Sequence, residues 1–466
     1  MPLLPFLSGA AGDPINLKRR VALQSTLGIP ATSGFVDTRT NGGPCTINKA
    51  IVDRLAIVAS GAPPTPLPAK ALMQGGPFDM GDFDPADPGL LAMFANVFKR
   101  LDVTDNTTWH RWKYGLDGSL HSEAAYLTWL NDNDVLPRTR VNDVLLGGFT
   151  LNAEPGGNFQ IEFPFVAGAY DFWGEPVQTV NSGSTLPILL RTAGENWFLD
   201  ATDGDIFIRI ETVATDGTVT YKAKVTTAAA FGSFDSTYVL GNSPGVIIDS
   251  NTGLEIGTCR ESPRIYWPAG ATLTDGGATG GDIFQIPKRR AAWTPSLATD
   301  HAIPAVNTRL YLNDEFIRAE GGYTLTAEWG TLEAQQDVSF EQGATVRRKG
   351  RFNVTLELTR ELADLAIQKV LHEREEASVV IEVCSDDVID ATPDPDQRFR
   401  ALFVMPAMAI SGDMYGVESG GENTEETVTL TAGVPDSTYT FDGIGFDSHA
   451  HVLIDTDVAD GDIGIL

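Results

Sequence analysis

Gly147-Gly148-Phe149-Thr150-Leu151-Asn152-Ala153-Glu154-Pro155-Gly156 returns later in the same chain as Gly321-Gly322-Tyr323-Thr324-Leu325-Thr326-Ala327-Glu328-Trp329-Gly330. Seven of the ten positions are identical, and Phe149 exchanges with the equally aromatic Tyr323. Upstream, Thr139-Arg140 and Asn142-Asp143 are echoed by Thr308-Arg309 and Asn313-Asp314. In each copy aromatic, Thr, Leu, polar and Ala residues alternate between glycine-bearing ends, the pattern of a half-buried strand entering a turn. Two readings stand: a duplicated β unit, or two amphipathic strands drawn from the same biased alphabet. Strand propensity demands neither the Gly-Gly nor the Ala-Glu pair, which favours duplication.

The 466 residues allow about three domains of ordinary size. A hydrophobic content of 42% with 9% aromatics belongs to a folded chain, and 47 glycines among Thr- and Val-rich runs favour short strands joined by tight turns. The net charge of −29 excludes nucleic-acid binding by phosphate neutralisation and argues against docking on an anionic membrane. It fits solubility, or a surface past which another polyanion slides. Cys45, Cys259 and Cys384 have neither CxxC nor CxxH spacing, so free thiols in a reducing cytoplasm are expected and a zinc or disulfide scaffold is not. The N-terminal Met1–Phe6 run is too short and too proline-broken for a signal peptide, and no apolar run approaches a membrane span.

Along the chain, Gly61–Ala69, with Pro63, Pro64, Pro66 and Pro68, cannot be an interior strand or helix and reads as part of an extended arm over residues 41–75. Asp87-Pro88-Gly89 opens a helix with Leu90, Leu91, Phe94, Val97, Phe98 and Leu101 on one apolar face. Residues 205–225 form a hairpin around Asp216-Gly217, inside an inserted all-β module expected over 185–299. After the second copy, a basic connection carrying Arg347, Arg348, Lys349 and Arg351 leads into the alternating strand Phe352–Leu358. Thr359 then caps a second helix with Leu362, Leu365, Ile367, Val370 and Leu371. Residues 436–466 read as an acidic, weakly patterned tail.

No catalytic constellation can be assembled from local motifs. His449 and His451 share one face of a strand, which is metal-compatible, although an ordinary surface strand near the tail is the favoured reading. Asp79, Asp82, Asp84 and Asp87, and again Asp455, Asp457, Asp460 and Asp462, read as solvated turns rather than calcium loops. The glycine-rich 275–282 lacks a P-loop lysine. No catalytic residue, cofactor or metal is assigned. The Arg347–Arg351 run is either an electrostatic contact with an acidic neighbouring subunit or a solvated hairpin tip.

The strand ending Ala327-Glu328-Trp329-Gly330, the loop 338–350, the strand Phe352–Leu358 and the helix expected over 361–371 together resemble the tail tube (major tail) proteins of long-tailed bacteriophages. Gly81-Asp82-Phe83, Asp87–Leu91 and the 147–168 strands look similar in the first half, as does Gly280–Phe284 through Trp293. The resemblance implies a mainly β fold. Two tube-like β-sandwich or barrel domains, each with a flanking helix, would occupy 1–184 and 300–435, with the 185–299 module between them and an acidic tail over 436–466. It also implies self-assembly, with three chains closing a pseudo-hexameric ring and stacked rings forming the conduit for genome ejection. The partners would be further copies, other tail proteins and phage DNA passing without specific binding. Arg347, Arg348, Lys349, Arg351 and the four prolines would contact neighbouring subunits. The chain would reside in the virion tail after assembly in the host cytoplasm. The competing reading is an acidic multi-domain β protein that binds or hydrolyses surface glycans.

Overall fold

The computed structural model describes residues 18–25, 31, 34–39, 45–52, 67–75, 78–98, 100–116, 126–132, 139–171, 177–180, 183–190, 205–214 and 219–226. It further describes 245–246, 264–267, 271–276, 281–286, 301–319, 321–335, 345–361, 376–392, 396–411, 425–459 and 463. The fold is mainly β. Its first half runs β1 (Lys18–Gln24), β2 (Val36–Thr38), β3 (Cys45–Val52), β4 (Leu67–Gly75), β5 (Phe78–Asp82), helix α1 (Pro88–Val97), β6 (Arg100–Asp105) and β7 (His110–Gly115). Then follow β8 (Tyr126–Asp132), β9 (Thr139–Leu146), β10 (Gly148–Ala153), β11 (Phe159–Phe163), β12 (Phe165–Ala167) and β13 (Ala169–Asp171). The middle holds β14 (Val177–Val180), β15 (Ile188–Leu190), β16 (Asp205–Val213), β17 (Val219–Thr226), β18 (Gly245–Val246), β19 (Arg264–Tyr266) and β20 (Ile283–Ile286). The second half contains β21 (Thr308–Leu312), β22 (Glu315–Ile317), β23 (Tyr323–Gln335), β24 (Thr345–Glu361) and β25 (Ala377–Asp390). It ends with β26 (Gln397–Ser411), β27 (Glu425–Ala432), β28 (Tyr439–Phe441), β29 (Ile444–Phe446) and β30 (His451–Thr456).

The two copies of the repeated phrase are β10 and the start of β23, and they pair with each other. Their antiparallel register sets Phe149 against Ala327, Leu151 against Leu325 and Ala153 against Tyr323. Leu151 thus faces its own counterpart, so a local two-fold axis passes between the copies. Gly148 (φ +148°) and Gly322 (φ +86°) account for the second glycine of each copy. A Cβ on Gly148 would lie 2.0 Å from the carbonyl oxygen of Ala327, and one on Gly322 would lie 2.5 Å from that of Ala153. The upstream echo diverges. Asn313-Asp314 (φ 51° and 66°) forms the β21–β22 hairpin turn, whereas Asp143 (φ 55°) sits at a bulge in β9 opposite Thr128.

This pairing places strands of both halves in one thirteen-stranded sheet, ordered β22-β21-β25-β26-β27-β24-β23-β10-β11-β5, with β30, β7 and β6 branching from β26. The units expected over 1–184 and 300–435 therefore share a sheet and a core. A second, eight-stranded sheet, β2-β1-β8-β9-β12-β4-β3 with β13 on β9, comes from the first half alone. The middle strands form their own sheets, β14-β20-β16-β17 and β15-β19-β18, around a separate core of Ile208, Tyr221, Ile265 and Phe284. The β14–β20 pairing starts this module by residue 177, ahead of the expected 185.

Helix α1 is not a flanking amphipathic helix. Gly89 to Val97 are all buried, because Leu90, Leu91, Ala92, Met93, Phe94, Ala95 and Val97 leave no polar side and need cover all round. Phe94 packs on Phe149 (5.3 Å between centroids), Phe163 (5.5 Å) and Tyr114 (5.7 Å) of the large sheet, while the other side of the helix meets β1, β2 and β9. Phe98 is the C-cap and Leu101 belongs to β6. Asp87 caps the helix, accepting from the Gly89 and Leu90 amides, and also takes the Arg39 amide (2.8 Å) and Thr38 hydroxyl (3.1 Å) of the β2 segment. Burial, with Asp84 adding to it, pushes the Asp87 carboxyl up to about 7.

Three more expectations change. Part of the 41–75 arm is an antiparallel pair, with Cys45 opposite Gly75 and Val52 opposite Leu67. Pro68 is tolerated in β4 because there it meets only β3, and β12 joins further along at Met73 and Gln74. Pro63, Pro64 and Pro66 lie outside the described residues. Thr359 does not cap a helix: β24 continues to Glu361, with Thr359 opposite Thr427 and Glu361 opposite Glu425, because the alternation of 352–358 finds a further partner in β27. The expected helical residues 362–371 lie outside the described residues. Finally, the acidic tail contains β30, buried along its whole length between β26 and β7.

Gly148→Ala and Gly322→Ala are each expected to cost about 2 kcal/mol or more through the carbonyl clash and the positive φ. Gly156→Ala (φ +73°), whose Cβ would meet nothing within 4 Å, should cost only about 1 kcal/mol. Urea-unfolding midpoints of the three variants test this order.

Candidate functional site

The exposed functional candidate is the ribbon of β23 and β24, which runs past the ends of both neighbouring strands. β10 leaves β23 at Glu328, and β27 joins β24 only from Thr355. Between them, Thr331–Gln335 pairs with Thr345–Lys349 as a two-stranded extension. Its inner face is carried by Leu332 and Val346 against Leu145 and Val166 of the other sheet.

Strand alternation divides the basic run. Arg347 and Arg351 are exposed, while Val346, Phe352, Val354, Leu356 and Leu358 face the core. Arg348 falls on the inward face, where its guanidinium is tied to the chain's own backbone and to Asn96. Its Nε donates to Leu146 O (2.7 Å), and its Nη2 donates to Asn96 O (2.6 Å) and Asn96 Oδ1 (2.7 Å). The same Asn96 Oδ1 accepts from the Leu146 amide (3.0 Å). The guanidinium lies 6.0 Å from the Trp329 ring centroid and completes the C-terminal end of α1, where a cation is favoured. Burial pulls Arg348 down to about 9, which leaves it charged at neutral pH. Lys349 lies in β24, opposite Thr331.

Of the repeat residues, Phe149, Leu151, Tyr323 and Leu325 enter the main core, Gly148 and Gly322 permit the close pairing, and Glu154 and Glu328 stay exposed.

Several of the side chains considered for catalytic or metal-binding chemistry have structural partners. His451 is buried. Its Nε2 accepts from the Asp447 (3.0 Å) and Ser448 (2.9 Å) amides, so Nδ1 carries the proton and donates to Tyr114 O (3.1 Å). His449 Nε2 meets Phe352 O at 3.1 Å instead of sharing a ligand with His451. Asp84 accepts Arg39 Nη1 (2.6 Å) and is no solvated turn residue. Asp455, also expected in a solvated turn, is fully buried, with Arg111 Nε at 2.6 Å and Arg400 Nη2 at 3.2 Å. Arg400 also reaches Asp442 (2.9 Å). This charge cluster joins β7, β26 and β30 and escaped sequence reading, because its members are 55 and 344 residues apart. Among the described residues, no group of three or more His, Cys, Asp or Glu side chains could hold a metal, and no helix is long and apolar enough to cross a membrane.

Arg348→Met is expected to destabilise the chain by about 3 kcal/mol, because the Asn96 and Leu146 carbonyls lose a charged donor. Arg347→Ala and Arg351→Ala should each stay within about 0.5 kcal/mol of the parent in the same denaturation assay. No family model and no curated protein matches this chain.

Proposed function

We propose that the chain is a structural, non-enzymatic subunit of the tail tube of a long-tailed phage. Copies assemble in the host cytoplasm into stacked rings, three chains to a ring, through which the genome leaves the virion. The observation that supports this reading is the open outer edge of β24. Among the described residues, the stretch from Thr345 to Asn353 pairs with β23 alone, and of its backbone groups there Phe352 O is taken by His449. An exposed edge of this length is a template for another chain unless it is covered, and ring closure covers it in every copy.

Arg347 and Arg351 stand on that edge in a chain of net charge −29. They would fix the register of an acidic neighbour. The same negative balance suits a lumen that repels DNA and lets it slide. The two copies of the repeat meet about a local two-fold, whereas successive wedges of a ring are related by a rotation that preserves strand direction. The ring unit proposed is accordingly the whole chain, with neighbours meeting through β24 rather than through the repeated strand.

Negative-stain microscopy of concentrated purified protein should show rings or tubes, and mass photometry should give three chains per ring. A persistent monomer overturns the reading. The double variant Arg347→Glu/Arg351→Glu should lower tube yield about tenfold at unchanged folding stability. An undiminished yield would remove β24 as the contact.

A further inference from the structure

β28 and β29 form a hairpin of their own, turned at Asp442 and Gly443 (φ +50° and +73°). Its Tyr439, Phe441, Ile444 and Phe446 cover Val380, Leu402, Val404 and Leu453 of the large sheet, and of the four covering side chains only Phe446 is fully buried. From Phe446 the chain turns through residues 447–450 into β30. The His451 ring seats that turn, 5.3 Å from the Phe446 ring. Gly115 of β7, opposite it in register, leaves the ring its space: a Cβ there would lie 3.0 Å from His451 Cε1 and Nδ1.

His451 is 2% exposed, and its unprotonated Nε2 gathers the Asp447 and Ser448 amides while Nδ1 donates to Tyr114 O. A second proton turns Nε2 from acceptor into donor and sets it against two amide N–H groups. The Ser448 hydroxyl, 3.1 Å from Nε2, already donates to Ala450 O (3.0 Å) and accepts from the Leu116 amide (3.4 Å). The carboxylate beside the ring is Asp447, with Oδ1 at 3.5 Å and a side chain 45% exposed. Lys113 of β7 donates to Gly445 O (2.6 Å) and lies over the Phe446 ring, and Tyr114 donates its hydroxyl to Leu91 O. β26 sets the apolar Val404 opposite His451, β6 sets Arg100 opposite Gly115, and His449 turns to Phe352 O.

We propose that His451 is a pH-operated latch: neutral, it holds the 447–448 turn and with it the β28–β29 hairpin on the sheet, and protonated, it passes to Asp447 and releases both. A histidine in the open chain takes up its proton near about pH 6.5, whereas burial and the two amides oppose the charge in the closed one. Asp447 offsets only part of this, because a half-exposed carboxylate is screened by solvent. The closed state therefore binds fewer protons than the open state and weakens as pH falls below about 6.5. Release uncovers the apolar face of Val380, Leu402, Val404 and Leu453. The latch lies within one chain and does not depend on ring assembly.

Global stability against pH does not isolate the latch, because Asp87, raised to about 7, has the opposite sign and favours the fold as pH falls. The test is therefore local: amide hydrogen exchange of residues 439–448 in the full chain at about pH 7.5 and about pH 5.5, corrected for the intrinsic effect of pH on exchange. Protection there is expected to fall about tenfold at the lower pH, while the β16–β17 pair, in its separate core, keeps its own. His451→Gln retains an acceptor that does not titrate, so its protection should be equal at both pH values. Asp447→Asn should move the opening to lower pH. If His451→Gln fails to fold, the ring-nitrogen chemical shifts of His451 in the parent decide, since Nε2 must gain its proton over the range in which protection falls. Equal protection at both pH values in the parent overturns the proposal, as does an equal loss in His451→Gln or a ring that stays neutral while protection falls.

Discussion

The arrangement of the two halves depends on the close approach of each repeat's second glycine to the alanine carbonyl of the other repeat. Gly148 against Ala327 and Gly322 against Ala153 leave no room for a side chain. That packing lets β10 and β23 lie in register about a two-fold. Strands of both halves of the chain thereby join one sheet, and α1 packs on its apolar face. Arg348 then locks the arrangement from the far side, tying β24 to the end of α1 and to β9 through three hydrogen bonds. The repeated phrase of ten residues is thus a joint, with its second glycines where the two copies touch.

Much of this was legible locally. The strand period of 148–153 and 323–329, the Asp87 cap with Pro88 behind it, and the β16–β17 pair all follow from patterns a few residues wide. Other features depended on partners that sequence neighbours do not reveal. The helix presented an obvious apolar face, but Ala92, Met93 and Ala95 on its remaining sides were equally without charge, which marked burial on all sides. The basic run carried its own warning: in a strand of period two, consecutive cations cannot all face water, and Arg348 is the one turned inward. The carboxylates of 455–462 read as solvated because the arginines that bury Asp455 come from β7 and β26.

Electrostatics distributes unevenly as a result. In a chain with only 33 cationic side chains against 62 carboxylates, Arg39, Arg111, Arg348 and Arg400 are committed to internal pairs or carbonyls. Buried pairs of this kind add specificity of docking more than net stability, since desolvation offsets much of the attraction. Exposed arginines are then found on separate strands, Arg309 on β21 and Arg347 and Arg351 on β24, with Arg318 just after β22.

The position of β30 has a consequence for how the molecule comes into being. His451 must reach Tyr114 across 337 residues of chain, and β30 supplies the ladder that joins β7 to β26. During synthesis the edge of β7 opposite β6 has no partner until β30 has emerged. Such distant pairing folds slowly and leaves sheet edges open in the meantime. The branch of the sheet that β30 completes thus works as a clasp that closes only after β7 and β26 have both been made.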